Sequence, residues 1–407
     1  MSCKIKDLCE RIGSGGTPSR KNKSYYNLGN IKWLKTKELD DIKIYDTEEK
    51  ITEEGLKKSS AKLYPKDTIV MAMYGATVGK LGIIKEEMCT NQACCNMVVD
   101  SNKCNYKFLY YSLLYNRESI INLANGAAQQ NLSVGVIGDY EINLPSLEEQ
   151  EKIANILSSL DDKIELNNEM NKTLEEMAQS IFKRWFVDFE FLSDDGQPYK
   201  SSGGEMVDSE LGMIPKGWEV KCIYDLAEYI NGTSFKAKDY SDKGLPIIKI
   251  AELKNGVTDG TKFFSGEKDK KFYLKNRDIL FSWSGNPDTS IDTFIWDKGD
   301  AILNQHIFKV IPKFDKGYAF TYLMLKYLKS TFTHIARNKQ TTGLGHVTVK
   351  DLKELKIALC FSKIKEFNEV AEPIVDLIFE NNMNIELLNK TRDSLLPKLM
   401  NGEIRVK

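Results

Sequence analysis

The sequence predicts an α+β protein: two α/β domains in a pseudo-two-fold repeat, joined by two long antiparallel coiled-coil helices. Three observations predict it. Motifs from the first half of the 407 residues recur in order in the second. Short β-rich runs such as Thr68–Met73 and Asp278–Trp283 lie between Gly/Asn/Asp turns, each followed by a more helical stretch, Tyr106–Leu123 and Tyr318–Arg337. From Glu148 to Phe186 there is neither Gly nor Pro, and apolar residues recur at a 4-3 spacing.

The repeat can be read residue by residue. Asp7-Leu8 returns as Asp225-Leu226, and Ile31–Leu39 as Leu245–Leu253. Tyr64–Val70 answers Leu274–Leu280, Asn91-Gln92 answers Asn304-Gln305, and Tyr106-Lys107-Phe108 answers Tyr318-Ala319-Phe320. Asn171-Lys172-Thr173 reappears as Asn389-Lys390-Thr391. A period of this size is a domain plus a helix, too long for a solenoid. The expected divisions are a first domain at 1–147, its helix at 148–187, and a turn-rich linker at 188–217. A second domain at 218–363 and a second helix with a tail at 364–407 complete the chain.

The first helix, about 39 residues, would be ~58 Å long at 1.5 Å per residue. Ser146 before Glu148-Glu149 suits its N-cap. Its seam reads Ile156, Leu160, Lys163, Asn167, Met170, Leu174, Met177, Ile181; the second, over Lys365–Leu399, reads Ile374, Ile378, Asn381, Ile385, Leu388, Arg392, Leu395, Leu399. So long an amphipathic helix needs a partner, and the common register assigns each to the other. Ile156, Leu160, Leu174, Ile181, Ile374, Ile378, Leu388 and Leu395 are the expected interface residues.

Composition narrows the function. No run approaches 18 uncharged apolar residues, so no membrane span is expected, and without an apolar leader at the start the protein is expected in the cytoplasm. The eight cysteines form no C-x-x-C pair and are expected as buried thiols. Net charge is −1, but unevenly spread: +3 over 1–147, −9 over 148–218 and +5 over 219–407. Two mildly basic blocks flank an acidic middle, which permits polyanion contacts at two places.

No catalytic signature appears: no G-x-S-x-G, Walker A loop, H-E-x-x-H, or Asp/Asn-Pro-Pro-aromatic box. Gly13-Ser14-Gly15-Gly16 reads as a plain turn, since no clear strand with G-x-G-x-x-G spacing precedes a helix there. All three histidines (His306, His334, His346) lie in the second copy, so machinery shared by both halves cannot use histidine. A repeat without shared catalytic residues points to a binding protein and to no metal site.

Both copies carry groups suited to DNA. Thr17, Ser19, Arg20, Lys21, Lys23 and Tyr25 cluster in the first, with Lys35, Lys80 and Gln92. Thr233, Ser234, Lys236 and Lys238 cluster in the second, with Lys249, Asn304 and Gln305. Amide-rich stretches follow, Gln129-Gln130-Asn131 and Lys339-Gln340-Thr341-Thr342. Gln and Asn pair with adenine, Arg and Lys with guanine, and Lys, Ser and Thr suit phosphates. The same composition also makes ordinary solvated loops, so at this point a DNA binder, a protein-binding scaffold and a two-lobed DNA-modifying enzyme all stand.

Several stretches resemble the DNA-specificity subunits of type I restriction–modification systems, over essentially the whole chain. They are Gly16-Thr17-Pro18-Ser19, Leu144–Gln150, Lys183-Arg184-Trp185-Phe186-Val187-Asp188-Phe189, Gly212–Glu219 and Leu399–Ile404. The second copy departs by carrying Cys360-Phe361-Ser362 in place of Pro145-Ser146-Leu147, and by lacking Glu-Glu-Gln. The resemblance implies a non-catalytic subunit whose two target-recognition domains each read half of a split, non-palindromic site in double-stranded DNA. It implies two modification subunits, which methylate adenine with S-adenosylmethionine, and ATP- and Mg-dependent motor-nuclease subunits as partners. The chain itself would carry no cofactor.

Overall fold

The computed structural model describes residues 2–123, 131–340 and 343–406. The chain forms two compact units, Met1–Lys163 with Leu388–Lys407, and Ile164–Leu387.

In unit 1 a five-stranded sheet runs in the order Cys9–Ser14, Cys94–Val99, Ile69–Ala72, Leu81–Ile84, Ile42–Ile44. Its neighbours are antiparallel except the last pair, which is parallel. The central strand explains itself by alternation. Ile69 and Met71 pack with Leu81, Phe108 and Leu109 on one face. Val70 and Ala72 pack with Leu34, Tyr64 and Met88 on the other. Both faces are covered, so the run is continuously apolar. A second, four-stranded sheet orders Lys50–Ile51, Ile31–Leu34, Met88–Thr90, Leu63–Tyr64, with a parallel central pair.

Unit 2 repeats this construction. One sheet orders Ala227–Asn231, Ile307–Pro312, Ile279–Ser282, Asp292–Ile295. The other orders Phe263–Phe264, Leu245–Ile248, Ala301–Leu303, Tyr273–Leu274, again with a parallel central pair. Ile279 and Phe281 face one core and Leu280 the other. The helical stretches predicted after the sheets each break once, into Tyr106–Tyr115 and Arg117–Asn122, and into Tyr318–Tyr327 and Lys329–Asn338.

The two long helices span Leu147–Phe186 and Phe361–Met400, 40 residues each. Ser146 caps the first, its Oγ accepting from Glu149 N at 3.3 Å. The second starts four residues before the expected Lys365, with Cys360 O accepting from Ile364 N at 2.9 Å. Gln150 and Asn368, both buried, do the same work in the two copies: Gln150 Oε1 accepts from Asn105 N, and Asn368 Oδ1 from Phe320 N, each at 2.9 Å. The missing Glu-Glu-Gln is thus replaced by a shorter amide.

Within unit 1, Ile153, Ala154 and Leu157 of the first helix share a core with Leu396, Leu399 and Met400 of the second, and Arg392 Nη1 lies 2.8 Å from Asp161 Oδ1. Within unit 2, Asn171 contacts Asn381 and Asn382 while Phe186 packs on Phe367 at 5.1 Å, which makes the segments antiparallel there. The expected seam is shifted. Ile378, Asn167, Asn381 and Leu399 are buried, and Ile156, Leu160, Leu174, Ile181, Ile374, Leu388 and Leu395 are half-buried, but Lys163, Met170 and Met177 are exposed. The most buried line runs instead through Ile153, Leu157, Ala178, Phe182 and Phe186. Each helix packs on a globular core as well as on a helix, and Phe182 turns toward Phe320 and Tyr327, so the apolar stripe is rotated from a pure two-helix seam.

The stretch 188–217 is tied into unit 2. Phe191 stacks between Tyr199 at 4.7 Å and Trp218 at 5.1 Å, and Met206–Ser209 pairs with Gly212–Pro215 as a hairpin. Cys89, Cys94, Cys95 and Cys104 are buried thiols, whereas Cys3, Cys9, Cys222 and Cys360 are half-buried. Burial pushes Cys89 and Cys104 up to about 12, so both stay protonated at neutral pH. Among the described residues no helix is long and apolar enough to cross a membrane.

Candidate nucleic-acid interface

In each unit, segments far apart in sequence meet at one end of the sheets, on a common backbone frame. In unit 1, Gly16 N donates to Thr90 O at 2.9 Å and Asn91 N to Leu34 O at 2.9 Å. In unit 2, Thr233 N donates to Leu303 O at 3.1 Å and Asn304 N to Ile248 O at 3.0 Å. Beside these bonds, the Thr17 hydroxyl contacts the Gln92 side chain, and Gln305 N donates to Thr233 O at 2.9 Å. The frame leaves no room for a Cβ at its crossing: one on Gly15 would lie 2.2 Å from Thr90 O, and one on Gly232 would lie 2.0 Å from Asn304 O. The Gly15 and Gly16 N–H groups are spent on backbone carbonyls, so this glycine run is a close-packed turn and not a phosphate cradle.

Lys35 and Lys249 follow the inner strands and open short helical turns, with their N–H groups donating to Glu38 and Glu252 at 3.0 Å. The charged surroundings differ. Arg20 lies 4.4 Å over the ring of Tyr26 and 4.9 Å over Trp33, and its Nη1 is 2.5 Å from Glu49. Lys35 Nζ is 2.6 Å from the same carboxylate. Hydrogen bonds from Arg20 and then Lys35 hold Glu49 down at about 2. In unit 2, Lys249 Nζ sits 5.5 Å over Tyr240.

Other residues expected at the interface are engaged elsewhere or stand apart. Lys80 pairs with Asp40 at 2.8 Å and Asp41 at 3.3 Å, and Lys339 pairs with the buried Asp351 at 2.5 Å. Ser19, Lys21, Lys23, Ser234, Lys236 and Lys238 are exposed and Tyr25 is half-buried; the four lysines have no acidic partner among the described residues. Asn131 and Gln340 are exposed. Gln129, Gln130, Thr341 and Thr342 lie outside the described residues. Among the described residues no three His, Cys, Asp or Glu side chains are placed to hold a metal ion.

The profile described as the type I restriction modification DNA specificity domain matches residues 1–176 and 215–365. The chain belongs to the type I restriction–modification DNA-specificity family. It is 30% identical over 414 residues to the type I restriction enzyme MjaIX specificity subunit of Methanocaldococcus jannaschii, covering 99% of this chain and 93% of that one. It is 26% identical to the HindI specificity subunit of Haemophilus influenzae, covering 73% and 77%. Its fold is similar to the crystal structure of a type I system S subunit from M. genitalium, with a TM-score of 0.61 at 18% identity, covering 98% and 96%. These relatives bear out the reading as a DNA-specificity subunit and do not favour a two-lobed enzyme.

Sequence reasoning about this specificity subunit missed one cluster at the strand end. Trp283, His306 and His346 gather at the strand end of unit 2, with ring centroids 5.2 Å (Trp283–His306) and 5.9 Å (Trp283–His346) apart. Burial, and then His346, lowers the pKa of His306 and favours its neutral form. The signal that could have found it is that His306 directly follows Asn304-Gln305 and has no histidine counterpart in the first copy.

Proposed function

We propose that the chain is non-catalytic, and that each unit reads one half of a bipartite, non-palindromic sequence in double-stranded DNA. The site so marked is then methylated at adenine by two modification subunits, or cut by motor-nuclease subunits. S-adenosylmethionine, ATP and Mg act on those partners, in the cytoplasm. The observation that carries this reading is the shared frame: the same backbone bonds at the same strand end, twice, presenting different side chains. A repeated scaffold with divergent loops suits two different half-sites, as a one-chain counterpart of a dimer on a two-part operator. The exposed lysines at 21, 23, 236 and 238 suit phosphates, and the modest net charge fits a subunit that shares the backbone with its partners.

The test is to reconstitute the chain with its modification subunits and map the methylated motif. A two-part motif with unlike halves is expected. Adenine methylation or DNA cleavage by the isolated chain would overturn the reading, and so would an unsplit or palindromic motif.

A further inference from the structure

The strand end holds a second pair of bonds that aligns the two units more closely than their sequences do. In unit 1, Met73 N donates to Ala93 O and Leu132 N donates to Met73 O, both at 2.8 Å. In unit 2, Trp283 N donates to His306 O at 3.3 Å and Val347 N to Trp283 O at 2.8 Å. The next residues, Ser133 and Thr348, each begin a short helix, Val134–Asp139 and Val349–Glu354. The frame therefore equates Met73 with Trp283, Ala93 with His306, and Asn131 with His346. One copy presents a thioether, a methyl and an amide where the other presents an indole and two imidazoles.

The unit 2 cluster is built. Trp283 Nε1 donates to Asn231 Oδ1 at 3.0 Å, and Ser284 Oγ lies 2.8 Å from His346 Nδ1. His306 is held in the left-handed region at φ 77°, uncommon for a residue with a side chain, and its buried Nδ1 has no hydrogen-bond partner among the described residues. Such a constraint, beside an exposed Gln305, marks a place where side chains are held for a purpose other than packing.

We propose that His346, held by Ser284 and Trp283 beside His306, selects a base pair in the half-site of unit 2, and that Asn131 holds the equivalent position in unit 1. This rests on the reading given under Proposed function. Where the Ser284 hydroxyl donates to Nδ1, the ring N–H is on Nε2, which then suits the acceptor edge of guanine, N7 and O6. The carboxamide of Asn131 suits adenine, whose edge offers one acceptor and one donor. The half-sites thus differ at this position as guanine against adenine.

The experiment maps methylated motifs of the reconstituted complex for wild type, His346→Asn, the double variant His346→Asn/His306→Ala, and the reciprocal Asn131→His. The expected result for His346→Asn is a change or relaxation at one guanine of the second half, with affinity for the original sequence lowered roughly 5- to 150-fold. The first half and the spacer stay as they were. Asn131→His, on an exposed residue, should alter one adenine position of the first half alone. Unchanged motifs in both variants would overturn the assignment, as would a change in the opposite half. If the unit 2 variants fail to assemble, the Asn131→His motif decides by the same criterion. A wild-type complex without a two-part motif would instead sink the broader reading, which separates the two failures.

Discussion

Asn381 Nδ2 donates to Asn171 Oδ1 at 2.9 Å inside unit 2, and Asn171 Nδ2 in turn donates to Asn382 Oδ1 at 2.7 Å. Asn381 is buried, so this is a satisfied polar layer between two helix segments. Such a layer is worth less as stability than as registry, because only one axial alignment pairs the amides. Asn381→Leu should cost about 1–3 kcal/mol by leaving the Asn171 acceptor unpaired, whereas Asn171→Leu/Asn381→Leu, which also takes the donor from Asn382, should recover part of that loss. Denaturant midpoints of the three proteins check this. A single variant as stable as wild type would mean the bond contributes nothing.

The Arg20–Glu49–Lys35 group predicts an acid sensitivity confined to unit 1. Glu49 titrates at about 2 in the folded protein, below the ordinary glutamate value of about 4.3. A depressed carboxylate stabilises above its unfolded pKa and loses that contribution as pH falls toward the folded one. The loop carrying Arg20 should therefore loosen between about pH 4.3 and pH 2. Trp33, under the Arg20 guanidinium and the single tryptophan of unit 1, reports it by fluorescence. In Glu49→Gln the transition in this window should disappear; an unchanged titration would show that another group controls the loop.

The first long helix was legible because a run of this length without Gly or Pro has few alternatives, and the second, which carries Pro373 and Pro397, through the register it shares with the first. The central strands were legible because a fully covered sheet demands a run of apolar residues. Ile69–Ala72 and the first three residues of Ile279–Ser282 show this directly. The strand Ile42–Ile44 was not legible, since three residues carry no measurable period. The seam was misplaced at Met170 and Met177 because a heptad pattern assumes one partner, and these helices also pack on globular cores. The candidate site was half legible. Thr17, Gln92, Thr233, Asn304 and Gln305 do meet as pairs at the strand ends. In the later loops, amide content sets the stretch ending at Asn131 against Lys339–Thr342, whereas backbone hydrogen bonds set Asn131 against His346. Loops of unequal length keep no period by which sequence could register them.

The two glycine crossings predict modular damage. A methyl group at Gly15 would meet Thr90 O, and one at Gly232 would meet Asn304 O, both far inside contact distance and both against backbone. Gly15→Ala should displace the Thr17–Gln92 contact and weaken discrimination in one half-site only. Gly232→Ala should do the same in the other half. Methylated-motif mapping distinguishes them, with loss of about 1–3 kcal/mol at the affected base pairs and assembly retained. If either substitution relaxes both halves together, independent reading by the two units is wrong.

Salt dependence separates lysines that hold phosphate from those that hold the protein. Lys21, Lys23, Lys236 and Lys238 are exposed without acidic partners among the described residues, so each is available to release a counterion on binding DNA. Lys80 lies between Asp40 and Asp41, and Lys339 is held by Asp351, so neither is free to do so without breaking an ion pair. For the reconstituted complex, Lys21→Gln/Lys23→Gln and Lys236→Gln/Lys238→Gln should each flatten the plot of log K against log salt by about 0.9 for every phosphate no longer neutralised. Neither should change the methylated motif, because lysines on phosphates carry no base identity. Lys80→Gln should leave the slope unaltered. A flatter slope for Lys80→Gln, or an unchanged one for the two double variants, would place the phosphate path elsewhere on the units.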